Sequence, residues 1–173
     1  MNTANRQAIA MWRDLVDKGY KITPTFGRDW HRKTNNAYHG ACTYLLSEDS
    51  KITEKTIKTA IEQGRTVVSV GPLFFFETSD GKTLGDVAQE GKATIKFTVS
   101  LDRFDKMKLD YSVSPKIIRF VGKGGEELFR TSADTKEIEL TLEKGVAYNA
   151  ELWGNIDEKE DCLLAFTAPI YTF

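Results

Sequence analysis

The chain has 173 residues, enough for one domain with a sizeable core or a small unit joined to another. Its 24 basic and 25 acidic side chains are interspersed and leave a formal charge of −1, which excludes the electrostatic footprint of a nucleic-acid binder and a polybasic membrane patch. No apolar run approaches the roughly 20 residues of a membrane span, and MNTANRQAIAMWRDL lacks the basic and apolar regions of an export signal. The expected location is therefore cytoplasmic, with no nucleic-acid or membrane partner. Cys42 and Cys162 stand far apart, which fits neither a disulfide framework nor a CxxC cradle, and both read as small buried apolar residues.

Over residues 5–18, Ile9, Trp12, Leu15 and Val16 recur at three- and four-residue spacing, and Gly19 follows where a left-handed cap would sit. That spacing predicts an amphipathic helix with a stop signal. YKITPTF then alternates, with Tyr20, Ile22, Pro24 and Phe26 on one face, and predicts a strand that delivers the chain to GRDWH. Pro24 has no backbone donor, so this strand is an edge or leaves its ladder there. After a polar stretch, ACTYLL predicts a short strand. A second helix is predicted from Thr53 as N-cap, Glu54 in the first turn, Ile52 stapled to Ile57, and Ala60 and Ile61 continuing the apolar face to Gly64. TVVSV, a continuous run rich in β-branched residues, predicts a buried parallel strand that Gly71-Pro72 ends.

From Leu73 onward the period changes to two. ATIKFTVSL places Ala93, Ile95, Phe97, Val99 and Leu101 on one face. KIIRFVGKGGEELFR predicts a hairpin around Gly124-Gly125, and SDGK another tight turn. LDYSV, EIELTL, VAYNAELW and CLLAFTAPIYTF complete a set of short strands that predicts an antiparallel β-sandwich. The expected fold class is α+β: a partial βα layer over residues 1–72, followed by the sandwich over residues 73–173.

Most chemistry-bearing side chains have structural readings. Trp12, Trp30 and Trp153 read as packing residues. Phe74, Phe75 and Phe76 read as an interface patch or a strand covered on both faces. Lysines and glutamates along the strands read as a solvated face. DEKED at residues 157–161 reads as a polar turn, since a calcium loop needs a glycine and ligand spacing that it lacks. GxSxG, phosphate-loop and dinucleotide motifs are absent, so no catalytic residue and no organic cofactor is assigned.

The ordered phrases NRQAIAMWRDLVDKGYKITPTFGRDWH, HGACTYLL and AIEQGRTVVSVGPLFFF, followed by a β region ending in AFTAPIYTF, resemble the C-terminal portion of PHP-superfamily metallohydrolases, closest to the CehA/McbA type. The resemblance covers about residues 5 to 80. It implies a distorted βα barrel holding up to three divalent metals, such as zinc, manganese or iron, that ready water for attack on a phosphoester or related ester. The family's last ligand pair, D-x-H, matches Asp29 and His31, whose side chains share one side of an extended strand end. His39, the only other histidine, is the third candidate ligand. Asp29 reads equally as an Asx-turn residue, His31 likewise as a turn residue, and His39 as a loop residue. Arg28 stands where the family has serine, and Cys42 where it has arginine. The family's H-x-H pair and middle ligands find no counterpart here.

Three functions remain in view. The first is a C-terminal fragment or truncated member of PHP-type metal-dependent hydrolases, catalytically incomplete alone and associating with itself or with a missing N-terminal PHP barrel. The second is a β-sandwich accessory or binding module without enzymatic activity. The third is a small metalloenzyme whose site forms between identical subunits.

Overall fold

The computed structural model describes residues 3–27, 41–47, 49, 51–102 and 111–173. Helix α1 spans Thr3–Asp17. Strand β1 (Cys42–Leu45), helix α2 (Glu54–Glu62) and strand β2 (Thr66–Ser69) follow. Then come β3 (Leu73–Thr78), β4 (Gly91–Ser100), β5 (Val113–Val121), β6 (Glu127–Ser132), β7 (Glu137–Leu142), β8 (Ala147–Ile156), β9 (Lys159–Thr167) and β10 (Ile170–Tyr171). The larger sheet has the order β1-β2-β9-β8-β5-β6, with β10 also on β8, and the smaller has the order β3-β4-β7.

This arrangement overturns the expected α+β class with its partial βα layer. Strands make up 46% of the described residues against 18% helix, and the named strands pair antiparallel throughout. β2, read from TVVSV as a parallel strand, runs antiparallel to both β1 and β9, with Val67 opposite Tyr44 on one side and Thr167 on the other. The continuous apolar run encodes burial on two faces, and direction is a separate property. Val67 faces the sandwich core, while Thr66 donates its hydroxyl to Pro24 O at 2.7 Å on the outer face. Helix α2 therefore lies within the connection of an antiparallel pair, and Leu46 N donating to Arg65 O at 2.9 Å continues that ladder.

Residues 20–26, expected as a strand, form none. Side chains hold their backbone instead: Trp12 Nε1 donates to Ile22 O at 2.8 Å, Phe26 N donates to Thr43 Oγ1 at 2.8 Å, and Thr66 holds Pro24. Once Pro24 removes a ladder donor, such bonds satisfy the extended backbone without a neighbouring strand. The capping of α2 is as its sequence suggests, with Thr53 accepting from Thr56 N at 3.1 Å and Thr56 Oγ1 accepting from Thr53 N at 2.8 Å. The staple is not formed, because Ile52 is 87% exposed.

The two sheets enclose an aromatic core. Phe74 and Phe76 are wholly buried, Phe76 meets Phe120 edge-on at 5.2 Å, and Phe120 stacks on Tyr148 at 5.7 Å. Such rings dominate burial and lock sheet register. Ser69 turns the chain from one sheet to the other, accepting from Gly71 N at 2.9 Å and donating to Pro72 O at 2.6 Å. Helix α1 lies on the outer face of the larger sheet, where Trp12 and Val16 pack against Ala147, Phe166 and Tyr171. Gly19 ends it at φ +90°.

Candidate functional site

Asp29, His31 and His39, the three sequence-derived metal ligands, lie outside the described residues. What the structure fixes is the route into and out of that stretch. Phe26, on one side, is hydrogen-bonded to Thr43 on the other, so both flanks are pinned beside β1. Among the described residues no group of three or more His, Cys, Asp or Glu could hold a metal ion. Cys42 is free and half-buried, and that burial raises its pKa, an effect partly offset by a hydrogen bond with Tyr44. Cys162 is free and buried, as expected.

The neighbourhood of β1 is unusual for an amphipathic layer. Among the described residues β1 pairs only with β2, so it is a sheet edge. On α2 only Ala60 is fully buried, while Ile57 and Ile61, one helical turn apart, are 39% and 38% exposed. Thr23 Oγ1 donates to Ile61 O at 2.7 Å, which brings the exposed Ile22 alongside that turn. Between α2 and the end of β1 lies a recess of about 260 Å³, lined by residues including Ser47, Lys55, Thr59 and Arg65.

A second arrangement lies under α1. Alternation along β8 puts Ala147, Asn149, Glu151 and Trp153 on the outer face. Glu151, read from sequence as part of a solvated face, has a side chain only 4% exposed. It accepts from Arg13 of α1, from Arg119 Nη1 of β5 at 3.1 Å, and from Trp153 Nε1 at 2.7 Å. The Arg119 guanidinium also stands 5.6 Å from the Trp153 ring centroid. Three hydrogen bonds thus satisfy the buried carboxylate oxygens. The sequence signal was the pairing of an amphipathic α1 with a strand whose second face is too polar to bury without partners.

Arg119 also donates to Glu127, which Arg130 Nε and Nη2 hold at 2.8 and 3.0 Å. The Arg130 hydrogen bond, followed by that of Arg119, lowers the Glu127 pKa from 4.5 to about 2. A carboxylate whose folded pKa is depressed stabilises the fold above its unfolded value, and that contribution disappears as pH falls through the folded one. The stability difference between wild type and Glu127→Gln is therefore expected to be constant above about pH 5 and to vanish toward pH 2. Urea midpoints measured across that range at low salt check it.

Comparison with family models, with curated proteins and with solved structures finds no match to this chain.

Proposed function

We propose that this chain acts as the C-terminal portion of a PHP-type metal-dependent hydrolase, supplying Asp29 and His31, with His39, to a divalent-metal site whose remaining ligands come from an N-terminal barrel. A bound metal would supply the chemistry of such a site by readying water for attack on an ester. Alone, the chain is catalytically incomplete. The observation that carries this reading is the apolar face of α2, Ile57 with Ile61, left uncovered among the described residues beside the β1 edge, where Phe26, three residues before Asp29, is hydrogen-bonded to Thr43. An amphipathic helix encodes such a face to be covered, and an open edge offers backbone groups to a further strand. The barrel is the occupant that both features fit.

Without that partner, two copies are expected to cover the face for each other. In sedimentation at tens of micromolar, wild type should run as a dimer or larger, and the Ile57→Asp/Ile61→Asp variant as a monomer with an unchanged melting temperature. A wild-type monomer at that concentration would remove the docking face. Elemental analysis after purification without chelator addresses the ligands themselves. Metal lost on Asp29→Ala or His31→Ala supports the hydrolase reading, whereas metal content equal in wild type and both variants sinks it and leaves the β-sandwich as an accessory binding module.

A further inference from the structure

Beneath α1, next to Glu151, a pocket of about 150 Å³ opens among Arg6, Ala10, Arg13, Arg119, Trp153 and Leu163. Its charge is unbalanced. Three guanidinium groups and one carboxylate line it, a surplus of two positive charges, while beyond the lining Glu127 pairs with Arg130, on which Asp161 also acts. Arg6 makes no ion pair among the described residues, while Arg13 engages Glu151 through Nη2 and Arg119 engages carboxylates through Nε and Nη1. Arg119 Nη2 is thus left to donate elsewhere, while Arg13 Nη1 lies against Gly125. A further donor of the lining, Arg13 Nε, is buried without a hydrogen-bond partner among the described residues. A cluster with surplus charge and unused donors is arranged for an acceptor that bears negative charge.

Size and lining narrow the class. A closed cavity of roughly 150 Å³ accepts a six-carbon ring, and this recess, open to solvent on one side, offers about that volume. Ala10, Leu163 and the Trp153 ring supply apolar wall, and the arginines supply planar forks that match a carboxylate in bidentate geometry. Glu151 acts as the organiser: it fixes the orientation of both partly buried guanidinium groups before any ligand arrives, which lowers the ordering cost of binding.

We propose that this pocket binds a small organic carboxylate with an apolar body about one ring in size, held by Arg6, Arg13 and Arg119 against Trp153. It is independent of the metal site and of the α2 face.

Benzoate is the probe, with acetate, phosphate and chloride compared at matched ionic strength. Tryptophan fluorescence and melting temperature report on the full chain. Benzoate is expected to shift both with half-saturation on the order of 1 mM, acetate more weakly, and chloride not at all. Two variants leave the Glu151 pairs intact. Arg6→Gln should weaken benzoate about tenfold through loss of a charged hydrogen bond, and Ala10→Leu, which fills the pocket from the helix side, should weaken it at least as much. The proposal is overturned if benzoate acts no differently from chloride, if phosphate binds more tightly than benzoate, or if both folded variants bind benzoate as wild type does.

Discussion

Gly85→Ala is expected to lower stability by about 3 kcal/mol or more, a drop of roughly 6–12 °C in melting temperature for a chain of this size. Gly85 has φ +85°, and an added Cβ would stand 2.8 Å from the carbonyl carbon of Gln63 and closer still to its oxygen. Those atoms are backbone, so no rotamer change relieves the clash. The position also matters to the fold. Gly85 N donates to Pro169 O at 2.8 Å, and Asp86 pairs with Arg65 at 3.1 Å, so this turn clamps the C-terminal end of α2 to the sandwich. Gly81 is the control, because it has φ +82° with open space around its Cβ position. Gly81→Ala should show only the left-handed backbone cost, about 1–2 kcal/mol. Equal melting temperatures for the two variants would show that the Gln63 contact does not constrain the chain.

Glu151→Ala has the second largest expected effect, about 3 kcal/mol, because it leaves Arg13 and Arg119 partly buried without their shared acceptor and strips Trp153 Nε1 of its bond. Both arginines retain some solvent access, which places the estimate at the lower end of the range for broken buried pairs. Arg13→Met removes one partner while Arg119 and Trp153 still satisfy the carboxylate, so it should cost about 1 kcal/mol. The two changes share one network, and combining them should cost less than their sum by about 1 kcal/mol. Additive urea midpoints would mean that Arg13 and Glu151 are energetically independent despite their contact.

The sequence was most legible where one residue type has one use. The alternation of Ile95 and Phe97, the hairpin glycines Gly124 and Gly125 at φ +65° and +80°, and the Thr53 cap all stand as read. Phe74 and Phe76 prove to be core on a strand that shows Phe75 half-buried. Strand direction was not legible. A run such as TVVSV reports how many of its faces are covered, and antiparallel sheets with both faces covered produce the same composition as parallel ones. Tyr20 to Phe26 misled for a related reason: alternation signals extended backbone, but Thr43, Thr66 and Trp12, distant in sequence, supply hydrogen bonds that a strand would have supplied. Glu151 was hidden because a charged residue among strand alternation normally means solvent, and only the docking of α1 reverses that.

β2 joins the stretch before Gly71 to β9 of the sandwich, so the larger sheet spans what the sequence suggested were two units. Hydrogen exchange in increasing urea tests that claim most directly. The amides of Val67 and Val68 are expected to exchange only with the global unfolding that exposes Ala150 and Leu152 of β8. Exchange of β1, α2 and β2 together at a clearly lower urea concentration, with β8 and β9 still protected, would instead mark the first part of the chain as a separate layer.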